Sequence, residues 1–486
     1  MLFNKFIKQK NINNSPIYLK IQYFFFNQIK LKMLISQNKK KEILKSTKQT
    51  LEGSSIHAIP NITRNNYYLI KIVWIVCFLV SFSWCCWFMV RSINDYLEFG
   101  VTSLIEVKYE HKLKFPVITI CYLNLIKSNS LNDLIRKNFG YIPSFNLYGM
   151  VVVKTREFYY SNQLEKLNLN ETIISCNYNN LPCNLTDDFD DQFYDQNYGQ
   201  CFRFNSGINR LGQTVEQKYS YQNGILNGLI LNLYIGSSDQ NNNAFSISHG
   251  MNIFINDKNY LDSTYSEGIN ISPGTTTKIL IDKISLKKEQ QPYSECTANL
   301  NTIDSYKSDI YKVTFSSNRS YLYSDCKIVC MQKIFYEKCN CQIVNALIYS
   351  SSTRFCLNNL TTESISKDYT CLYEAFALFS ASSQYIEKCD CPIECEKTFY
   401  TSVNSVAQYP TMAFADYLRN TSSLIQLKFE NTTNYFEDIK KSVARVEIFF
   451  DELKQTTISE KIKTETSDLI ANLGGTLGLF LGKIKY

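Results

Sequence analysis

The sequence predicts an α+β membrane protein in which two apolar helices, the second incomplete, flank a large disulfide-rich extracytosolic domain. Three observations carry this. Residues 72–90 (IVWIVCFLVSFSWCCWFMV) run for 19 positions without a charge, close to the roughly 20 that cross a bilayer. A second apolar stretch, residues 469–482 (LIANLGGTLGLFLG), stands at the other end of the chain. The chain has 17 cysteines, a number that fits an oxidising compartment better than the cytosol.

Charge sets the orientation. Residues 1–91 hold 14 Lys and Arg against 2 acids, and residues 92–482 hold 35 against 42. A basic segment directly against an apolar span follows the positive-inside rule, so nucleic acid is not the expected partner. Lys71 and Arg91 flank the span and can snorkel to the interface. The span is too long and too far from the start for a cleaved signal peptide. The expected segments are a cytosolic 1–66, a first membrane helix 67–91, an extracellular domain 92–466 and an incomplete second helix 467–486. The expected location is the plasma membrane, multi-pass, with the N-terminus in the cytosol and lipid as a partner.

Residues 1–50 carry 11 Lys and one Glu with no clean amphipathic period, which reads as a partly disordered segment. His57 precedes the span, either a plain juxtamembrane residue or a functional one. Beyond the span, Phe115–Cys121 (FPVITIC) reads as a strand. Residues 122–200 look irregular and include an acidic run at 187–191 that suits a solvated loop or a pH sensor. Strand-like runs follow at 228–236, 251–256 and 277–281, separated by turns such as Ser272-Pro273-Gly274. They suggest an antiparallel sheet. A cysteine-rich block spans 296–395. Residues 424–429 and 443–450 are further strand candidates, and 451–466 reads as a polar connector.

Cys77, Cys85 and Cys86 lie inside the first span and are expected to be reduced thiols. Fourteen cysteines remain, enough for seven disulfides. The spacings at Cys326/Cys330, Cys339/Cys341 and Cys389/Cys391/Cys395 lack the paired form of zinc ribbons, and there are only three His. No metal is expected. A spacing of four on a helix sends both sulfurs one way, and alternation in a strand does the same, so these doublets suit parallel rungs. Glycosylation sequons begin at Asn170, Asn184, Asn318, Asn359, Asn420 and Asn431, with a weaker one at Asn270 before a Pro. Those at Asn13 and Asn61 fall on the cytosolic side and are expected to stay bare. Gly475, Gly478 and Gly482 share one helical face. That face admits a packing stripe or a pore lining.

Seven strings together are similar to the degenerin / epithelial sodium channel / acid-sensing ion channel superfamily: FPVITIC, GQCFRFNSG (199–207), SPG (272–274), PYSEC (292–296), CDCPIEC (389–395), VEIFFDEL (446–453) and LGGTLGLFLG (473–482). The resemblance implies a trimeric, amiloride-sensitive-type, sodium-preferring cation channel gated through its ectodomain, with homo- or hetero-trimeric family partners, a β-sheet palm and a helical thumb near 296–396. It implies the disulfides Cys121–Cys201, Cys176–Cys183, Cys296–Cys395, Cys326–Cys391, Cys330–Cys389, Cys339–Cys371 and Cys341–Cys356. It further implies a filter formed by Gly475, Gly478 and Gly482, with gating residues at His57, Tyr109 and Tyr293.

The chain departs from the family in four places. Ala58 follows His57 where the family has Gly, and Asn472 stands where acid-sensing channels usually have Asp. Lys327 matches a basic chloride-site position, but Met331 replaces its acidic partner. Ile484 occupies the place of the filter Ser, and a helix over 467–482 is roughly 24 Å long, short of the ~30 Å hydrocarbon core. This raises the alternative of a non-conducting regulatory or dominant-negative subunit, or a single-pass receptor-like glycoprotein, with no current expected from the chain alone. No G-x-S-x-G, H-E-x-x-H or phosphate loop occurs, so neither an enzyme nor a cofactor is expected.

Overall fold

The computed structural model describes residues 37–54, 56, 58–123, 168–195, 198–236, 248–257, 268–318, 321–343, 347–350, 353–357, 362–381, 388–430 and 432–482. His57, Asn359 and Asn431 lie outside the described residues, as does the side chain of Asn318. The chain forms two compact units, one of residues 1–100 with 463–486 and one of residues 101–462.

In the first unit, Gln37–Glu52 is helical where the sequence predicted a partly disordered segment. Its Lys, Gln, Glu and Leu residues are good helix formers, and propensity needs no amphipathic period. A short helix, Ala58–Arg64, follows. Helix α1 (Tyr68–Leu97) is 30 residues long and extends the predicted span at both ends. Ile72, Val76, Leu79, Trp84 and Trp87 all point outward, as lipid-facing side chains do. Among the described residues α1 is the one helix long and apolar enough to cross a membrane.

The second unit is built on two sheets. Its strands are β1 (Val101–Tyr109), β2 (Val117–Tyr122), β3 (Ile173–Tyr178), β4 (Leu181–Pro182), β5 (Phe193–Asp195), β6 (Gly199–Phe204), β7 (Leu229–Tyr234), β8 (Met251–Asn256), β9 (Ile269–Ile271), β10 (Thr275–Lys287), β11 (Glu396–Gln408) and β12 (Val443–Ile462). The seven-stranded sheet has the order β11-β10-β12-β7-β3-β4, with β1 paired to the far half of β12. The five-stranded sheet has the order β9-β8-β2-β6-β5. The pairing is mixed, because β10 runs parallel to β12. Aliphatic and aromatic residues fill the core: Phe115, Ile118, Phe204, Leu231, Ile281 and Phe450 share one cluster. Phe115 meets Tyr178, Phe204 and Phe450 in edge-on contacts with centroids 5.0–6.2 Å apart.

Two sequence expectations fail here. Residues 451–466, read as a polar connector, are strand as far as Ile462, where β12 runs with β1 on one side and β10 on the other. A polar sequence pairs readily in a sheet whose outer half is wet. The strand expected at 424–429 is instead a helix, Ser423–Phe429. The Ser422 hydroxyl accepts from the Ile425 N–H, and Ile425 and Phe429, one turn apart, are both buried. The cap and the i,i+4 pair outweigh β propensity.

Helices α2 (Asp309–Asn318), α3 (Tyr323–Cys339) and α4 (Thr362–Ala381) form a helical block, and α5 (Met412–Thr421), α6 (Ser423–Phe429) and α7 (Tyr435–Lys440) a second one. Helix α8 (Thr466–Leu481) belongs to the first unit.

Candidate pore helix and gating elements

Helix α8 is capped reciprocally. Glu465 accepts from the Asp468 N–H, and Asp468 Oδ2 accepts from the Glu465 N–H at 3.1 Å. The helix lies against α1: Phe88 and Phe480 stack with centroids 5.8 Å apart, and the Tyr96 and Thr466 hydroxyls are 3.3 Å apart. Leu473, Leu477 and Phe480 are half-buried, while Asn472, Gly475, Gly478 and Leu479 are exposed. A Cβ built on Gly474, Gly475 or Gly478 meets nothing within 4 Å. The glycine face is therefore not what packs this chain's two apolar helices together. Gly482 ends the helix at φ 97°, a backbone that favours glycine.

Tyr109 closes β1 opposite Lys454 and is 74% exposed. Lys454 reaches Asp282 at 3.6 Å and Glu452 at 3.1 Å. Tyr293 is half-buried, and its N–H donates to the Gln290 carbonyl at 3.0 Å, just before the Cys296–Cys395 disulfide. The structure also joins Cys121–Cys201, Cys176–Cys183, Cys326–Cys391, Cys330–Cys389, Cys339–Cys371 and Cys341–Cys356. Cys77, Cys85 and Cys86 are free thiols. Cys326 and Cys330 do sit one turn apart on α3. The other two doublets are not in strands. Cys339 ends α3 and Asn340 turns the chain at φ 52°, while Asp390 at φ 48° separates Cys389 from Cys391. Cys389 and Cys391 still reach one helix, meeting Cys330 and Cys326 on α3, whereas Cys339 goes to Cys371 on α4 and Cys341 to Cys356.

The acidic run is solvated only at its ends, where Asp187 and Asp191 are exposed. Phe189 is fully buried, Asp188 pairs with Lys218 at 2.8 Å, and Asp190 pairs with Arg203 at 2.6 Å. Burial pushes the Asp190 carboxyl above its ordinary value even though Arg203 opposes the shift. Asn170, Asn184, Asn270 and Asn420 are exposed. Lys327 lies 4.6 Å over the Tyr323 ring, and Met331 is buried.

Sequence reasoning missed two polar anchors. Asn205, at φ 63°, donates through Nδ2 to the Phe115 carbonyl at 2.7 Å and accepts the Lys218 N–H at 2.6 Å. The signal was available, since Asn before Ser-Gly is a left-handed turn former. Asp368 accepts both arms of the Arg354 guanidinium at 2.8 and 2.9 Å, and also the N–H of Leu357, held at φ 62°. No local pattern announces that pair. The Arg354 guanidinium holds the Asp368 carboxyl below its ordinary 3.8. Its stabilisation is therefore complete above about pH 4 and fades as pH falls through the lower folded value. Asp368→Ala is expected to cost about 2 kcal/mol, and the cost is expected to shrink in acid. Chemical denaturation of the purified protein at two pH values checks this.

These elements define a membrane protein that has a long apolar helix and a large disulfide-bonded β-rich domain. The family model described as amiloride-sensitive sodium channel matches residues 50–483. The acid-sensing ion channel 1A of Danio rerio is 25% identical over 465 residues, covering 88% of this chain and 83% of that one. The bile acid-sensitive ion channel of Homo sapiens is 22% identical, covering 88% and 81%. The FMRFamide-activated amiloride-sensitive sodium channel of Cornu aspersum is 20% identical, covering 88% and 79%. A cryo-EM structure of a proton-activated chloride channel aligns at 7% identity with a TM-score of 0.31, covering 84% of this chain and 93% of that one, too slight a likeness to bear on the fold. The chain belongs to the amiloride-sensitive sodium channel family, within the degenerin / epithelial sodium channel / acid-sensing ion channel superfamily. It is a cation-channel protein of that family and not an enzyme.

Proposed function

We propose that the chain is one subunit of a trimeric, sodium-preferring channel in the plasma membrane, gated through its extracellular domain. The open glycine face of α8 carries this reading. Gly475 and Gly478 leave backbone within reach of an ion or of two neighbouring copies, and carbonyls there can replace part of an ion's hydration shell. Gly482, the third glycine of the expected filter, caps the helix and is buried, so the open face is that of Gly475 and Gly478. The segments follow as 1–66 cytosolic, 67–91 and 467–486 in the membrane, and 92–466 outside, with lipid around the helices and no nucleic acid.

The seven-stranded sheet serves as a palm and the 296–396 block as a thumb stiffened by five disulfides. A stimulus on the outer domain moves β1 and β12, each of which continues in sequence toward a membrane helix. Tyr109 and Tyr293 are the gating aromatics, with His57 a further candidate on the cytosolic side. Glycans attach at exposed Asn170, Asn184 and Asn420, and the sequons at Asn318, Asn359 and Asn431 are further candidates.

Voltage clamp of oocytes expressing the chain, alone and with subunits of the zebrafish relative, tests this. The expected result is an amiloride-blocked current whose reversal potential follows external sodium. No altered current in either setting refutes the channel reading.

A further inference from the structure

We propose that Asp468 supplies the negative charge at the outer mouth of the ion path that Asn472 lacks, and so sets how fast cations enter. This rests on the trimeric pore reading of α8. At about 100° per residue, Asp468 lies within roughly 40° of Asn472 and 20° of Gly475 around the helix, so all three share the open face. It stands one turn, about 6 Å, above Asn472 on the outer side. Its side chain is exposed, and the Glu465 N–H holds its Oδ2 at 3.1 Å. The opposite face, with Leu473, Leu477 and Phe480, is the one turned toward α1.

A carboxylate at the third position of a helix has a bland use as a cap that also favours the helix dipole. That use needs one acceptor oxygen. The place on the glycine face adds a second use, because three copies put three negative charges around one axis. Such a ring raises the local concentration of cations, strongly in dilute salt and less as the Debye length shrinks to about 8 Å at physiological ionic strength. Asp468→Asn keeps an oxygen for the cap and removes only the charge.

Single-channel recording from the conducting assembly tests this. Asp468→Asn is expected to lower inward unitary sodium current about two-fold near physiological salt, and further when salt is reduced about ten-fold. In Asp468→Cys, a negatively charged methanethiosulfonate is expected to restore the current and a positively charged one is not. Unitary current unchanged at both salts, or restored equally by both reagents, overturns the proposal. Oxidative cross-linking judges the underlying pore face separately. Asp468→Cys is expected to link copies, and Leu473→Cys is not. Links from Leu473→Cys alone overturn the pore face itself. Links from Asp468→Cys with no effect of the Asn variant overturn only the charge. An assembly containing this chain that carries no current overturns the proposal as well, since there is then no flux for the charge to set.

Discussion

Gly228→Ala is expected to leave little folded protein at the cell surface. Gly228 sits at the entry to β7, and its α-carbon faces the centre of β12. A methyl group there runs into the Ile448 carbonyl oxygen and lies 2.6 Å from the Phe449 Cβ. Both are fixed: Ile448 pairs with Leu229 across the ladder, and its side chain is in the core. A flexible side chain steps aside at little cost, whereas a central strand moves only with its neighbours. Overpacking ordinarily costs about 1–3 kcal/mol, and the upper end or beyond is expected here. Gly212→Ala is the contrast. It has φ +75° but no atom within 4 Å, so it should cost about 1 kcal/mol from backbone strain alone. Surface biotinylation of the two variants checks the ranking. Equal surface levels would show that β12 yields more easily than its pairing implies.

The second large effect is non-additive. Cys326–Cys391 and Cys330–Cys389 leave neighbouring turns of α3. Either bridge alone closes the long loop between α3 and residue 389, so removing one pair of cysteines leaves only a short cycle open and costs about 2 kcal/mol. Removing all four opens the long loop as well and is expected to cost about 6–7 kcal/mol, enough to unfold the helical block locally. Proteolysis of the purified protein reads this out. Each double Ser variant should resist cleavage within 296–396 and the quadruple variant should not. Equal sensitivity in all three would show that the bridges do not share a loop.

The contrast between these two sites shows what kind of information each level holds. Cysteine content, and its concentration beyond the first span where 14 of the 17 lie, were legible as composition, because an oxidising compartment leaves a count. The partners of the cysteines were not legible from spacing, since the doublets at 339/341 and 389/391 read as strands and are in fact turns. The pairings were carried by resemblance to a family. Gly228 entered the sequence reading only as the first residue of the strand-like run 228–236. Its constraint comes from a strand more than 200 residues later. Residues 424–429 and 451–462 were misread for a related reason. A cap at Ser422 and the flanking strands β1 and β10 outvote local propensity, and neither the packing against the core nor the ladder partners lie within a local window.

The sequence by itself determined the basic N-terminal segment, the apolar span at 72–90, the disulfide-rich domain beyond it and the glycine periodicity of the last helix. These depend on composition and on periods of a few residues, set by bilayer thickness, redox chemistry and helix pitch. Only the tertiary structure decided that Gly475 and Gly478 are left open, that Asp190 and Asp368 are paired rather than solvated, and that β12 is continuous from the core to Ile462. Those depend on which distant segments meet, and strand pairing and burial are settled between residues far apart in the chain.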